Sequence, residues 1–204
     1  MGTDSDPGLP TGSSGPGDPA PGDPVPGDPG DAADRLRRRI LWAMPTGLYV
    51  IGSRGELDGT LRWNLMTANL VLQVAVEPKS LAVSVEAGSV THRNLEATGC
   101  YTVNLVARED RMLVRRFVKP VPVTTVVIDS DGRPSAMGGH EVVVATTGAP
   151  ILQRAVAWLD CQVRERVELG SHTLFIGTVV DFGGPEGQLP PLLRMEDTRM
   201  SYGG

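Results

Sequence analysis

The sequence predicts a mainly β fold with α excursions, a barrel of short strands that follows an N-terminal segment of unusual composition. Two observations support this prediction. Eight short segments are rich in β-branched residues and are separated by Gly, Pro or Asp turn signals. Few segments have helical spacing, and neither G-x-G-x-x-G nor G-x-x-x-x-G-K-[ST] occurs in the chain. Many short strands with few helices favour a barrel over a nucleotide-binding Rossmann sheet.

The first 34 residues differ in composition from the rest of the chain. They contain Pro-Gly-Asp-Pro three times at a five-residue period, starting at Pro16, Pro21 and Pro26. Such a segment has almost no apolar side chains to offset the entropy of ordering. We therefore expect a disordered Pro/Gly/Asp-rich tail over residues 1–34 and one folded domain over residues 35–204. The tail is expected to be an acidic spacer, and docking to a partner is the alternative.

The same segment accounts for the net charge of −5. Seven aspartates and no Lys or Arg precede Arg35; subtracting these seven from the 24 acidic residues leaves 17 against 19 basic residues. A near-neutral domain lacks the concentrated basic face of a nucleic-acid-binding protein. No apolar run approaches the roughly 20 residues that span a bilayer, and no signal peptide is visible. We expect no nucleic acid and no membrane among the partners.

The ordered elements are expected to begin with a short helix, Ala32–Leu41, on which Leu36, Ile40 and Leu41 share an apolar side. The pattern then changes to that of β-strands, in which β-branched residues are frequent. The predicted strands are Gly47–Gly52, Leu70–Val76, Leu81–Glu86, Tyr101–Leu105, Thr124–Ile128, Glu141–Ala145, Ala157–Val167 and Thr173–Asp181.

Two helical segments interrupt these strands. Ser89 is a favourable N-cap for a helix that runs to Thr98, and Gly99 supplies its C-terminal stop. The segment Glu109–Lys119 has apolar residues at helical spacing and ends before Pro120. We therefore predict two internal helices.

The stretch Trp63–Asn69 is the first candidate for a functional site. It mixes small, polar and amide residues directly before the apolar strand Leu70–Val76. Backbone N–H groups and amide side chains of this kind suit the pyrimidine edge of a flavin ring. The alternative is a strand entry whose Asn and Thr side chains satisfy turn backbone groups.

The stretch Gly88–Asn94 is the second candidate. A strand that leads into a helix N-terminus presents unpaired N–H groups to an anion. Ser89 and Thr91 add hydroxyl donors there. His92 and Arg93 add further donors and positive charge, as a phosphate requires. The alternative is simple capping of the helix by Ser89, with solvated neighbours.

The third candidate is His172, which stands between Gly170-Ser171 and an apolar strand. A histidine in this position supplies a hydrogen bond or a proton at a redox centre, or it merely caps a turn. His140 lies in a glycine-rich loop and is assigned no role. The sequence contains no closely spaced histidine pair, so we expect no metal site.

The two cysteines narrow the reaction classes further. Cys100 and Cys161 are too few for a disulfide framework or a four-cysteine zinc site, and they indicate a reducing, cytoplasmic location. Cys161 lies inside the apolar run Ala155–Val163, where a packed, unreactive thiol is expected. No G-x-S-x-G elbow occurs, which argues against a hydrolase triad.

Nine segments follow one another along residues 40–182 in an order typical of one family. They are Met44–Gly52, Asn64–Asn69, Val76–Lys79, Ser84–Glu86, Ser89–His92, Gly99–Asn104, Gly148–Leu152, Ala157–Cys161 and Ser171–Val179. Taken together, this ordered series resembles the flavin reductase-like family of FMN-binding split barrels. The resemblance implies a Greek-key-like split barrel, a homodimer with FMN near the subunit interface, and NADH or NADPH as electron donor.

The resemblance also implies roles for twelve residues. The isoalloxazine would contact residues of the first candidate stretch, the ribityl chain would lie along one strand, the phosphate would bind at the second stretch, and nicotinamide or substrate would approach the histidine. In that order the residues are Asn64, Met66, Thr67, Ala68 and Asn69; Ser84 and Val85; Ser89, Thr91, His92 and Arg93; and His172.

The expected function is that of an FMN-binding oxidoreductase, an NAD(P)H-dependent flavin reductase that could supply reduced flavin to a monooxygenase. In this class the cofactor carries out the difficult step, so no covalent protein nucleophile is expected. Two alternatives stay open. One is a flavin-dependent oxygenase or reductase that acts directly on an organic substrate, and the other is an FMN-binding electron carrier without NAD(P)H turnover.

Overall fold

The computed structural model of the chain describes residues 29–57, 59–198 and 200. Among these residues, the chain divides into two units, one that ends at Leu41 and one that begins at Trp42. The helix predicted over Ala32–Leu41 is confirmed as α1 (Pro29–Trp42). Most of the predicted disordered tail lies outside the described residues, so that tail and the boundary after residue 34 stay predictions.

Eleven strands follow α1 within the described residues. They are β1 (Tyr49–Leu57), β2 (Thr60–Ala68), β3 (Val71–Val76), β4 (Lys79–Glu86), β5 (Cys100–Leu105), β6 (Val126–Ile128), β7 (Pro134–Met137), β8 (His140–Val144), β9 (Pro150–Leu152), β10 (Ala157–Glu168) and β11 (His172–Gly183). All eight predicted strands are present, with ends shifted by a few residues.

Seven strands form one antiparallel sheet in the order β2-β1-β5-β10-β11-β4-β3. Its two end strands, β2 and β3, are consecutive in the chain and are joined only by Asn69 and Leu70. Because this link is only two residues long, it holds the two ends of the sheet side by side. The sheet must therefore curl into a barrel, which is split between β2 and β3. The expected split barrel is confirmed, and the split falls next to the first candidate stretch.

A smaller sheet, in the order β6-β7-β8-β9, packs beside the barrel. Asn104 of β5 ties the two sheets together, because its Oδ1 accepts a hydrogen bond from the backbone N–H of Leu152, at 2.8 Å. The apolar interior has two parts: one inside the barrel around Tyr101 and Phe175, and one around Phe117 and Met137 towards the smaller sheet.

Three strands were missed by the sequence patterns, namely β2, β7 and β9. The most consequential is β2, because its second half lies in Trp63–Asn69, the stretch interpreted as a candidate site with a strand entry as the alternative. Asn64 and Thr67 are buried in β2 although they are polar, because partners far away in the sequence satisfy them. Their polarity therefore hid the strand.

The two internal helices had different outcomes. The first is confirmed as α2 (Val90–Thr98), with Ser89 as N-cap and Gly99 in the left-handed conformation at φ 62°. The second prediction, a helix over Glu109–Lys119, is wrong. The chain forms two short 3₁₀ turns there, Arg108–Asp110 and Val114–Phe117.

Among the described residues, neither α1 nor α2 has the length and the hydrophobicity of a membrane-spanning helix.

Candidate functional site

A cavity of about 560 Å³ lies at the split of the barrel. Its walls come from the end of β2, from β4, from the first turn of α2, from the segment Phe117–Pro120 and from the start of β11. The lining residues are Asn64, Met66, Thr67, Ala68, Asn69, Leu70, Ser84, Glu86, Ser89, Val90, Thr91, Phe117, Val118, Lys119, Pro120 and His172. Nine of the twelve predicted site residues are therefore brought together here.

Asn64 connects two walls of this cavity. Its buried Nδ2 donates a hydrogen bond to the Thr91 hydroxyl of α2, at 3.0 Å. Its Oδ1 accepts a hydrogen bond from the backbone N–H of Val121, at 2.9 Å. Both ends of the amide are thus used within the protein, so Asn64 fixes the distance between α2 and the chain that follows Phe117.

Thr67 holds the other end of the same segment. This side chain is fully buried, and its hydroxyl donates to the backbone carbonyl of Val114. The segment Val114–Val121 is therefore fastened to β2 at both ends, by Thr67 and by Asn64. Between these two ties, the segment lines the cavity.

The first turn of α2 forms the anion-suited end of the cavity. The Ser89 hydroxyl caps the helix by accepting a hydrogen bond from the backbone N–H of His92, at 3.1 Å. The backbone N–H groups of Val90 and Thr91 precede any intrahelical acceptor, as in every α-helix. Because both residues line the cavity, the partial positive charge of the helix N-terminus lies at its wall.

The alternation of β4 explains which of its residues reach the cavity. Ser84 and Glu86 line it, whereas Val85, between them, is only 1% exposed and packs in the barrel core. Side chains two apart on a strand share a face, and the one between points the other way. Contact of the Val85 side chain with flavin therefore stays a prediction that this placement does not favour.

His172 lies at the rim of the cavity, at the start of β11. In the antiparallel register it is paired with Glu86 of β4, which also lines the cavity. Its Nδ1 lies 3.0 Å from the Ser171 hydroxyl, and this contact restrains the ring. The imidazole and the carboxylate thus stand side by side at one edge of the cavity.

His92 and Arg93 are not among the lining residues. The buried His92 ring packs edge-on against Phe175, and its Nε2 lies 2.9 Å from the Thr173 hydroxyl. The Arg93 side chain is exposed, and its Nη1 donates to the backbone carbonyl of Gly88. Neither residue lines the cavity, so their predicted contacts with a phosphate stay predictions.

Seven lining residues escaped the sequence reasoning: Leu70, Glu86, Val90, Phe117, Val118, Lys119 and Pro120. Four of them form one run that we predicted as a helix end. The signal that could have revealed it is Lys-Pro-Val-Pro at 119–122, since two prolines so close together exclude a continued helix and leave an irregular wall.

The remaining reactive groups point to no second mechanism. Cys161 is buried, as predicted, and burial raises the pKa of its thiol to about 12. Among the described residues, no three His, Cys, Asp or Glu side chains are grouped so that they could hold a metal ion. The cavity at the barrel split is thus the strongest candidate for the site.

An antiparallel split barrel with an amide-rich strand end and a helix N-terminus around one cavity defines a class of flavin-binding proteins. Comparison with known sequences agrees with this class. The family described as "Flavin reductase like domain" matches residues 41–203. The chain therefore belongs to the flavin reductase-like family, and the expected class, a flavin reductase-type oxidoreductase, is confirmed.

Three relatives illustrate the similarity. An NADH-dependent flavin reductase of Pseudomonas fluorescens, StyB, is 29% identical over 160 residues, which are 76% of this chain and 82% of that protein. The structure of the styrene monooxygenase flavin reductase of Pseudomonas putida S12 has a TM-score of 0.60 at 25% identity, covering 79% of this chain and 93% of that one. The NADH:FAD oxidoreductase SgcE6 of Streptomyces globisporus, in complex with NAD and FAD fragments, has a TM-score of 0.59 at 26% identity, covering 77% and 84%.

Proposed function

We propose that this protein is an NAD(P)H-dependent FMN reductase that serves as the reductase component of a two-component monooxygenase. One observation carries the proposal. A single cavity joins a helix N-terminus suited to a phosphate with an amide-lined strand end suited to a heterocyclic ring. The relatives named NADH-dependent flavin reductase and monooxygenase flavin reductase support the same activity.

The residues that line the cavity fit the parts of FMN in order along its walls. The end of β2, Met66–Asn69, offers backbone groups and the Asn69 amide to the ring. Ser84 of β4 offers a hydroxyl beside the ribityl chain, and Ser89 with Thr91 forms the phosphate end. When bound, the flavin supplies the hydride-accepting chemistry, and the protein binds it, orients it and shields it from water.

His172 is the residue that we assign to the reaction itself. Its ring stands at the rim, where a nicotinamide or a second substrate enters, with Nδ1 held near Ser171. Nε2 is therefore the nitrogen available to donate or hold a proton. Replacing His172 with Gln should lower kcat by about 100-fold while flavin affinity changes little, because the change removes a proton-transferring group. An unchanged kcat would remove His172 from the mechanism.

The choice of flavin and donor is tested by one panel. Purified protein is mixed with riboflavin, FMN or FAD, and oxidation of NADH and of NADPH is followed at 340 nm. We expect turnover with FMN and release of reduced flavin. Flavin-bound protein that neither nucleotide reduces would instead indicate the electron carrier, and turnover with FAD alone would reassign the cofactor. Protein that no flavin stabilises against heat would exclude flavin binding altogether.

We also propose a homodimer with the flavin site near the subunit interface. Leu70, Leu72, Val74 and Val76 are 46–75% exposed; they lie on β3 or directly before it, and Leu70 lines the cavity. Exposed apolar side chains clustered in this way mark interfaces. Replacing Leu72 and Val76 with Glu should convert a dimer into a monomer in light scattering, while Gln73→Glu on the same strand should not. A monomeric native protein would contradict the proposal.

We also propose that the protein acts in the cytoplasm. Both cysteines are free and buried, which supports a reducing, cytoplasmic compartment. In that setting the protein would pass reduced FMN to a separate oxygenase. Co-expression with a flavin-dependent monooxygenase should give NAD(P)H-driven substrate oxidation. This oxidation should be insensitive to catalase, and it should stop when an excess of a riboflavin analogue blocks the transfer of flavin.

A further inference from the structure

The run Phe117–Pro120 places one cation, Lys119, on the wall of the cavity. Within the described part of the chain, no Arg lines this cavity, and its other ionisable lining residues are Glu86 and His172. The Lys119 side chain is exposed, and no ion pair or hydrogen bond to it exists among the described residues. Its ammonium group is therefore available to a ligand, and the following inference rests on the proposed function.

The backbone connects Lys119 with the phosphate end of the cavity. Val121, two residues further on, donates its N–H to Asn64, and the same Asn64 amide donates to Thr91 in the first turn of α2. One buried side chain thus separates the Lys119 segment from the helix N-terminus. Lys119 and the first turn of α2 line the same cavity, so a ligand bound there faces both.

Arg93 is the cation that the sequence suggested for this task, and its contacts argue against it. Its guanidinium donates to the carbonyl of Gly88, and the residue is absent from the cavity wall. The guanidinium keeps other N–H groups, but Arg93 is not part of the cavity wall, so its side chain must move before it can contact a phosphate there. Lys119 needs no such rearrangement.

We propose that Lys119, and not Arg93, is the cation that binds the flavin phosphate, and that Asn64 positions it through Val121. The phosphate receives N–H groups from the first turn of α2 on one side and the ammonium of Lys119 on the other. Hydrogen bonds that involve charged groups are stronger than neutral ones. Loss of the Lys119 ammonium should therefore weaken FMN binding by at least about tenfold.

The test compares FMN with riboflavin, which has the same ring and ribityl chain but no phosphate. Dissociation constants are measured by flavin fluorescence for the wild type, Lys119→Gln, Arg93→Gln and Arg115→Gln. Arg115 is an exposed cation in the segment Val114–Val121 but does not itself line the cavity. Arg115→Gln therefore controls for the change in net charge. We expect Lys119→Gln to lose FMN affinity and to keep the riboflavin affinity of the wild type.

Each outcome is decisive. Equal FMN affinity of Lys119→Gln and wild type, or equal losses for FMN and riboflavin, would overturn the assignment. A phosphate-specific loss in Arg93→Gln that exceeds the loss in Lys119→Gln would restore Arg93. If the wild type binds neither flavin, the proposed function fails, and that result is distinct because it appears before any variant is compared. Rescue of FMN affinity by Lys119→Arg would support the assignment.

Discussion

Two walls of the same cavity are built in opposite ways. The wall at α2 is made of local contacts. The Ser89 hydroxyl accepts a hydrogen bond from the backbone N–H of His92, three residues further along the chain, and Gly99 ends the helix. The wall at Phe117–Pro120 has no regular structure of its own beyond one 3₁₀ turn. It is held at its ends by Thr67 and Asn64, which are 47 and 57 residues away from their partners.

The difference teaches where the site gets its shape. A capped helix keeps its geometry wherever the fold places it, because its bonds are made within a few residues. The opposite wall keeps its geometry only while β2 is in place. We therefore expect changes at α2 to have small, local effects, whereas changes in β2 should disturb the opposite wall and the ligand together.

The largest effect is expected for Asn64→Leu. The substitution removes the donor to Thr91 and the acceptor of the Val121 N–H, which is left buried without this partner. We expect a loss of about 3 kcal/mol in the free energy of unfolding and a loss of flavin affinity of at least about tenfold. Urea unfolding and flavin titration measure the two quantities. Gln73→Leu, the same kind of change on the exposed side of β3, should alter neither.

Substitutions of Ser89 separate capping from ligand binding. Ser89→Ala should cost about 1 kcal/mol of stability because the N-cap bond is lost. Ser89→Asp keeps a cap, so its stability should match the wild type, but its negative charge should weaken FMN binding and spare riboflavin. Equal FMN affinity of Ser89→Asp and wild type would place the phosphate elsewhere.

A loss of stability similar to that of Ser89→Ala is expected for Thr67→Val, which keeps the shape of the side chain and removes the hydroxyl bonded to the Val114 carbonyl. We expect a loss of about 1 kcal/mol with a few-fold weaker flavin binding, as the wall loosens at one end. Thr60→Val, at the exposed start of β2, is the matched control. A destabilised variant with unchanged flavin affinity would show that this tie does not shape the cavity.

The smallest effect concerns a carboxyl group outside both walls. Asp160 is buried and accepts two hydrogen bonds from Thr147, and burial raises its pKa above the ordinary value. A carboxyl with a raised pKa contributes stability that is present below its unfolded pKa, about 3.9, and is lost as the pH rises through the folded value. The wild type should therefore lose thermal stability relative to Asp160→Asn as the pH rises from the unfolded pKa of Asp160 through its higher folded pKa.

The opposite sign is expected at Asp110. The hydrogen bond from Arg154 lowers the pKa of Asp110, so its contribution is lost as the pH falls. Thermal melts of Asp160→Asn and Asp110→Asn over the acid range should diverge from the wild type in opposite directions. Neither substitution should change flavin affinity, because neither residue lines the cavity; a change would mean that the walls are coupled to the rest of the barrel.

The sequence by itself determined the features that depend on neighbours along the chain. The β-branched runs gave the eight predicted strands, Ser89 and Gly99 gave the limits of α2, and the ordered series of segments gave the family. Nine of the twelve predicted site residues line the cavity. These features follow from propensities and caps, which act over a few residues.

Only the tertiary structure decided which side chains face the cavity. The pairing of β4 turned Val85 into the core, the packing of α2 turned His92 towards Phe175, and the ties from β2 placed Lys119 on the wall in a segment that looked helical. Burial of Asn64 and Thr67 depends on partners that no local pattern identifies. The physical reason is that a buried polar group needs a hydrogen-bond partner, and here the partners are distant in the sequence. Only the fold brings such partners into contact.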